Sequence, residues 1–321
     1  MKEKNNTIID IEEFDKSKDT KTSGVNSGFI KHINDGPSKG TYMFKPMIKS
    51  EEIIEEQGPK YRQDEYDEKI ERSSALIEYT FGGVFQAVLK DQAPIIGLAI
   101  DKEKDEVFMT SKFLDNFVPI DVFCKDNQQK LDNGEIIIEG LKKAVITSLY
   151  CGDSDLNPGN LGIITKQENG ITKNIVAKID HGAAGITEQE QNIEVIFNKF
   201  YKKYDYAQYL PFDLTKAQEA TKEIFDTIPV QKQAINEAIS NLKIQNVDPK
   251  FTNLNFEDQE LGDFSKYLDV RKEKLQEFSE KLALISSIEH PNPKWKESGA
   301  WTEALDNPAT YAQKYVTQQA Q

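Results

Sequence analysis

The spacing of apolar residues changes near residue 185 of this 321-residue chain, and few architectures accommodate that change. Before it, short apolar runs bounded by turn residues predict mostly strands, whereas after it apolar residues recur almost entirely at helical spacing. The predicted strands span 28–33, 41–45, 94–100, 106–114, 161–165 and 173–180. The predicted helices span 70–89, 133–151, 188–204, 216–225, 231–242 and 270–287. A strand-rich half followed by a helical half predicts an α+β protein of two lobes.

Two pairs of these strands are typical of β-hairpins. The runs 28–33 and 41–45 flank the turn-rich "NDGPSKG", and "LGIIT" and "KNIVAKID" flank "KQENG". Short connections rich in Gly, Asn and Asp favour antiparallel pairing of the runs on either side. In the second hairpin this pairing predicts that Asn160 and Asp180 lie side by side.

Charge and composition restrict which partners the protein can bind and in which cell compartment it is found. The net charge of −14 disfavours a nucleic-acid partner. The two cysteines are not spaced as metal ligands and fit free thiols of a reducing compartment. No apolar run reaches the roughly 18 residues that a transmembrane helix needs. We therefore expect a soluble, cytoplasmic protein without a transmembrane segment, in which the charged residues 1–22 form a mobile lead-in.

The stretch "CGDSDLNPGNLGI", residues 151–163, concentrates carboxylates and carboxamides in one loop. One interpretation is a calcium loop, because Asp153, Asp155 and Asn157 occupy the first alternate ligand positions of an EF-hand. That motif requires glycine and glutamate where Pro158 and Ile164 stand, which argues against it. A second interpretation is a turn that merely caps a helix, since Asp, Asn, Gly and Pro favour turns.

A third interpretation is phosphotransfer chemistry. Asp155 and Asn160 have the D-x-x-x-x-N spacing of a phosphotransfer loop, and Asp180 ends the hairpin that follows. In such loops a carboxylate orients the attacking hydroxyl and receives its proton, while the Asn and a second Asp hold magnesium. Carboxylate and amide oxygens are the hard ligands that magnesium prefers. On this interpretation Asp155 is catalytic, and Asn160 and Asp180 are the metal ligands.

Two groups of motifs carry a family resemblance. "DSDLNPGN" followed by "KIDHG" resembles the catalytic loop and metal-binding D-x-G of the protein-kinase-like superfamily. Upstream, "SGFIKHINDGPSKGTYMFKP" is similar to the first strands of type II phosphatidylinositol 4-kinases and their bacterial relatives, in the phosphatidylinositol 3-/4-kinase branch. The resemblance covers residues 23–185. It implies a kinase-like fold with a strand-rich N-lobe at 23–118 and a larger helical C-lobe at 119–321.

The resemblance also implies how the first lobe binds ATP. Ser27 and Gly28 cover the phosphates through backbone N–H groups, and Lys45 contacts the α- and β-phosphates. A helical glutamate fixes Lys45, with Glu71 as the first candidate and Glu68 and Glu78 as alternatives. The hinge bordering the adenine is segment 113–117, and its ATP-binding residues are Phe113, Leu114 and Asp115.

Three positions depart from the family pattern. Ser154 stands where protein kinases have the arginine of His-Arg-Asp, and His181 replaces the usual Phe or Asn after the metal-binding Asp180. Gly152-Asp153 matches the start of the lipid-kinase Gly-Asp-x-His, which makes Asp153 the alternative to Asp155. Five residues after Asp153 the chain has Pro158 rather than an asparagine, so the spacing favours Asp155.

The acceptor and the partners follow from the resemblance alone. We expect a kinase that uses ATP with Mg²⁺ or Mn²⁺ on a phosphoinositide, with peripheral membrane contact, and a secreted bacterial effector role is one setting for such proteins. The basic and aromatic segment "FNKFYKKYDYAQY", residues 197–209, is either the lipid-facing loop or an amphipathic helix. An atypical protein kinase and a decayed binding module are the alternatives. The presence of Lys45, Asp155, Asn160 and Asp180 argues against decay.

Overall fold

A computed structural model provides the description of the protein. It describes residues 8–10, 20–21, 29–34, 39–46, 65–101, 106–184, 193–197, 214–247, 258–288, 304–305, 307–311 and 313. The chain forms two compact units. The first comprises 1–115, 180–186 and 229–265, and the second comprises 116–179, 187–228 and 266–321. Each unit thus draws on several segments, unlike the contiguous lobes 23–118 and 119–321 that the sequence predicts.

The first unit contains a six-stranded sheet in the order β1-β5-β6-β4-β3-β2. Its strands are β1 (Ile8–Asp10), β2 (Thr20–Lys21), β3 (Phe29–Ile33), β4 (Gly40–Pro46), β5 (Ile96–Asp101) and β6 (Glu106–Lys112). All neighbours pair antiparallel except β1, which runs parallel to β5 with Ile8 opposite Leu98. Strands β1 and β2 lie in the segment predicted as a mobile lead-in. Pairing with one neighbour each satisfies the backbone groups on one side of these edge strands, and the β-branched Ile8 and Ile9 suit a strand.

The predicted hairpin β3–β4 is confirmed, with Phe29 opposite Phe44. The rings of these two residues stack with centroids 4.9 Å apart, and Phe108 of β6 meets both edge-on. This aromatic cluster forms the core on one face of the sheet. Because side chains alternate along a strand, Lys45 faces away from the cluster that contains its neighbour Phe44.

Helix α1 (Glu65–Leu89) packs against this sheet. It begins five residues before the predicted start at Ile70, so part of the acidic segment 49–69 is helical. Residues 78–85 are all buried, including Tyr79 and Phe85, so this part of the helix is enclosed on every side. The helix approaches β5 closely at Gly82, where an added Cβ would lie 2.8 Å from the Cβ of Ile96.

The second unit contains a four-stranded sheet in the order β7-β9-β10-β8. Its strands are β7 (Phe117–Pro119), β8 (Ile138–Glu139), β9 (Leu161–Glu168) and β10 (Ile171–Lys178). Strands β9 and β10 form the second predicted hairpin, which is therefore confirmed. Asn169 and Gly170 both have positive φ values, 53° and 79°, as a two-residue type I′ turn requires.

One helix is predicted over 133–151, and this prediction is wrong for residues 133–140. Strand β8 is followed by Gly140 with φ 84°, and helix α3 begins only at Leu141 and ends at Cys151. Ile137 and Ile138 therefore precede the helix, and Ile137 is 70% exposed. A left-handed glycine interrupts the apolar period because this conformation cannot continue a helix. Helix α2 (Ile120–Asp132), which the apolar spacing does not predict, precedes β8.

Residues 193–197, within the predicted helix 188–204, are helical, and the rest of that prediction lies outside the described residues. Three further described helices are longer than predicted. They are α4 (Leu214–Asp226), α5 (Ile228–Val247) and α6 (Asp258–Ser286). The sheets and helices confirm a mixed α+β protein. No helix in the described part of the chain is long and apolar enough to cross a membrane.

Candidate functional site

Lys45 is the centre of a charged cluster in the first unit. Its Nζ lies 2.6 Å from Glu78 Oε2 on α1 and 2.9 Å from Asp180 Oδ1. Burial opposes the charge of Lys45 and lowers its pKa, but the carboxylates of Glu78 and Asp180 outweigh burial and raise the pKa above its ordinary value. Lys45 therefore stays cationic at neutral pH while only 13% of its side chain is exposed.

Glu78 provides the carboxylate that the sequence assigned first to Glu71. The two residues are seven positions apart, which is about 10 Å along a helix, and they lie on nearly the same helical face. Glu68 and Glu71 belong to α1, but their side chains lie outside what the structure describes. The preference for Glu71 as the partner of Lys45 was wrong, because α1 continues for about five turns beyond that residue and Glu78, two turns along it, provides the contact. The buried side chains described in α1 belong to residues 75–89.

Asp180 adopts a left-handed backbone conformation with φ 54°, which is uncommon for a residue other than glycine. The N–H of Gly182 points at Asp180 Oδ1 from 3.5 Å. Between them, His181 is fully buried, and its ring stacks on Phe85 with centroids 3.8 Å apart and planes 11° apart. The anchored His181 holds the turn, so that the carboxylate of Asp180 is directed to Lys45 while its side chain is 45% exposed.

The second unit contains the carboxylate and carboxamide loop. Asp155 accepts hydrogen bonds on both carboxylate oxygens, from Asn157 Nδ2 at 2.5 Å and from Asn160 Nδ2 at 2.8 Å. Asn157 Oδ1 in turn accepts from the backbone N–H groups of Gly159 and Asn160. The carboxylate of the D-x-x-x-x-N pattern is thus fixed by the asparagine five residues later, and it remains partly exposed.

Asp153, the alternative to Asp155, has a different environment. It is fully buried and forms an ion pair with the fully buried Lys178, Nζ to Oδ2, at 2.9 Å. Burial raises the pKa of the Asp153 carboxyl, against the lowering effect of the Lys178 ammonium. A carboxylate enclosed in this way cannot meet a substrate. The geometry therefore favours Asp155 over Asp153 as the residue that could contact an acceptor.

Strand pairing places Asn160 opposite Ile179, and not opposite Asp180 as the sequence predicts. The N–H of Ile179 donates to the carbonyl of Asn160 at 2.9 Å, and Asp180 is the next residue in the chain. The register of the hairpin is set by its two-residue turn. With its amide nitrogen engaged by Asp155, Asn160 has its side-chain oxygen as the atom able to bind a cation. Among the residues that the structure describes, no three His, Cys, Asp or Glu side chains form a metal-binding group.

The predicted ATP-binding segments are only partly described. Ser27 and Gly28 lie outside the described residues. Phe113 follows β6, donates its N–H to the carbonyl of Thr41 at 2.8 Å and is 45% exposed. Leu114 is partly buried, and Asp115 is exposed in the turn before β7.

Three residues outside the predicted set hold the loop that contains Asp155. Lys178 lies in the apolar run "NIVAKI", and a lysine flanked by apolar residues is the signal that the sequence offers for it. Arg271 of α6 is fully buried and donates to the carbonyls of Leu149 and Tyr150, at the end of α3. Tyr267 donates to the carbonyl of Cys151 at 3.3 Å. These donors satisfy the terminal carbonyls of α3, from which the loop departs.

The fold and these clusters define a class of mixed α+β proteins with a buried lysine paired to two carboxylates and a separate Asp–Asn loop. The chain belongs to the LepB N-terminal domain family, whose model matches residues 96–287. An uncharacterized protein of Rickettsia prowazekii (strain Madrid E) is 26% identical over 314 residues, which covers 89% of this chain and 48% of that protein. The chain thus spans about half the length of this relative. The family match includes Asp155, Asn160 and Asp180 but not Lys45 or Glu78.

Proposed function

We propose that this protein is an ATP-dependent phosphotransferase, and that its acceptor is the hydroxyl of a phosphoinositide lipid. The observation that carries the proposal is the cluster formed by Lys45, Glu78 and Asp180. Glu78 lies 33 residues after Lys45 in the sequence and Asp180 lies 135 residues after it, yet both bind its ammonium group. In the kinase-like pattern a strand lysine, a helical glutamate and the aspartate of D-x-G perform one task, which is to bind the nucleotide phosphates.

Each member of the cluster has a role in this proposal. Lys45 supplies a fixed positive charge for the α- and β-phosphates, and the fully buried Glu78 holds its ammonium in place. Asp180 is the more exposed partner, so its carboxylate is available to a cation that accompanies ATP. Phosphate oxygens then replace Asp180 as a partner of Lys45.

The donor chemistry suits a magnesium ion. The kinase-like pattern assigns Asp180 and Asn160 to Mg²⁺, and the carboxylate and carboxamide oxygens of these residues are the hard ligands that Mg²⁺ takes. When bound, the ion neutralises the charge that develops on the transferred phosphoryl group. Asp155, oriented by Asn157 and Asn160, accepts the proton of the acceptor hydroxyl.

The choice of a lipid acceptor rests on the resemblance to type II phosphatidylinositol 4-kinases. The segment 197–209, which the sequence offers as a lipid-facing loop, is described only at Phe197. Phe197 is fully buried, with its ring 5.4 Å from that of Phe278, so this aromatic residue belongs to the core. The lysines of the segment lie outside the described residues and carry the lipid-facing hypothesis.

The test is transfer of labelled γ-phosphate from ATP by the purified chain with Mg²⁺ or Mn²⁺. Mixed phosphoinositide vesicles and cell extract are offered in parallel, and the extract also serves as a source of activators. The variant Asp180→Ala is compared with Asp126→Ala, which removes an exposed carboxylate on α2. We expect label in the lipid fraction, lost with Asp180→Ala and kept with Asp126→Ala.

Other outcomes separate the alternatives. Label only in proteins of the extract would identify an atypical protein kinase and refute the lipid acceptor. Absence of label from both fractions, with wild-type protein and extract present, would refute phosphotransfer and leave a binding module.

A further inference from the structure

We propose that Asp153 and Lys178 form a positioning pair that holds the backbone of Asp155 at the place where it receives the acceptor's proton. This inference rests on the proposed function, since it concerns the residue to which that function assigns proton transfer. Asp153 and Lys178 themselves contact neither ATP nor acceptor, because both side chains are fully buried.

The burial of the pair is what requires an explanation. Both partners are 0% exposed, and their charged atoms are 2.9 Å apart. Removing two charges from water costs about as much as their attraction returns, so well-packed apolar residues would stabilise a core equally well or better. Stability alone therefore does not account for an aspartate and a lysine at these positions. Their role is instead to fix the local backbone, because each of the two charged groups holds a particular backbone atom by a hydrogen bond.

The pair is hydrogen bonded to two segments of its own unit, which are the loop of Asp155 and the end of β10. Asp153 Oδ1 accepts the N–H of Asp155 at 2.9 Å. Lys178 Nζ donates to the carbonyl of Ile179, the residue before Asp180, at 2.7 Å. The loop and the end of β10 are thus joined through one buried ion pair, and neither segment can shift without breaking a charged hydrogen bond.

On the loop side, the backbone of Asp153 is fixed by the C-terminal cap of α3. Helix α3 ends at Cys151, and Gly152 takes a left-handed conformation with φ 68°. The N–H of Asp153 then donates to the carbonyl of Ser148 at 2.8 Å. This closed helix end is typical of a Schellman-type cap, and it fixes the Cα of Asp153, from which the side chain reaches forward to Asp155.

The pair and the asparagines perform complementary tasks on Asp155. Asn157 and Asn160 bind the two carboxylate oxygens and so set the side-chain orientation. Asp153 binds the backbone N–H and so sets the position of the residue. Because a displacement of about 1 Å of a catalytic group can lower a rate about 100-fold, loss of the pair should reduce turnover rather than ATP binding.

The test compares Asp153→Asn, Lys178→Met and the double variant that contains both. Each single change leaves one buried charge without its counter-charge. The double variant is neutral and keeps an oxygen that can accept the Asp155 N–H, so it tests the hold on Asp155 separately from the Lys178 bond to Ile179, which it lacks. We expect each single variant to lower kcat at least tenfold with KM for ATP within twofold, and the double variant to recover to within threefold of wild type. Leu282→Ala, a buried change on α6 about three turns beyond Arg271, is the control for destabilisation. It should lower Tm and leave kcat unchanged at a temperature where all variants are folded.

The positioning role would be overturned if the single variants had wild-type kcat. It would also be overturned if the two reductions in kcat multiplied in the double variant. A readout that needs no turnover separates this result from failure of the proposed function. Amide hydrogen exchange at Asp155 should accelerate at least tenfold in each single variant and return towards the wild-type rate in the double variant. If the wild type transfers no phosphate, the proposed function fails, and with it the assignment to Asp155. If amide hydrogen exchange at Asp155 is unchanged in the single variants, the pair does not hold the loop, and the inference is refuted whether or not the protein transfers phosphate.

Discussion

Replacing Glu78 with glutamine should destabilise the protein far more than replacing Asp180 with asparagine, although both carboxylates bind the same ammonium. The side chain of Glu78 is 1% exposed, whereas that of Asp180 is 45% exposed. Breaking a buried ion pair by removing one partner costs about 3–5 kcal/mol, and the remaining Asp180 limits the loss to about 3 kcal/mol. An exposed pair is screened by solvent and contributes about 0–1 kcal/mol.

Calorimetric melting near pH 7 measures the difference. In a domain of about 150–250 residues, 1 kcal/mol corresponds to about 2–4 °C in Tm. We therefore expect Glu78→Gln to lower Tm by roughly 6–12 °C and Asp180→Asn by less than about 4 °C. Because the pKa of Lys45 is raised on folding, its stabilising contribution is complete below about pH 10 and is lost as pH rises through the folded-state value. Equal Tm losses in the two variants, or a Glu78→Gln effect that disappears between pH 7 and 9, would refute this reasoning.

Two further predictions follow from buried groups. Burial raises the pKa of the Cys124 thiol to about 11 and that of the Cys151 thiol well above its ordinary value. Neither thiol should therefore react with a thiol reagent at pH 7.5 until denaturant is added. Rapid labelling of the native protein would contradict the packing of α2 and α3. Gly82→Ala, which normally favours a helix by up to about 1 kcal/mol, should here lower the unfolding free energy by about 1–3 kcal/mol because the new methyl meets Ile96. A rise in denaturation midpoint in that variant would show that α1 lies farther from β5.

Local turn chemistry explains which parts of the fold were predictable from sequence. Both hairpins were identified because Gly, Asn and Asp between short apolar runs determine a turn without reference to the rest of the chain. The parallel pairing of Ile8–Asp10 with β5 was not identified, because its partner lies about 90 residues away and no local pattern encodes it. The interruption at Gly140 was missed for a related reason, since a glycine inside an apolar period is compatible with a helix until its φ is known.

The candidate site was predictable where spacing determines chemistry. The D-x-x-x-x-N pattern identified Asp155 and Asn160, which are hydrogen bonded to each other. The partner of Lys45 was not determined, because Glu71 and Glu78 are separated by seven residues and share a helical face. Lys178 was missed because a single lysine in a strand usually lies at an exposed edge, and only the structure reveals its buried counter-charge.

The measurement that tests the central claim most directly is calorimetric binding of ATP with and without Mg²⁺, which requires neither an acceptor nor an activator. Wild type, Lys45→Met, Asp180→Asn and the control Asp126→Asn are compared at pH 7.5. The account predicts that wild type and Asp126→Asn bind ATP more tightly with Mg²⁺, that Asp180→Asn loses the Mg²⁺ dependence, and that Lys45→Met binds at least tenfold more weakly in both conditions. ATP affinity that is the same in all four proteins, or absent from the wild type, would contradict the assignment of this cluster to a nucleotide.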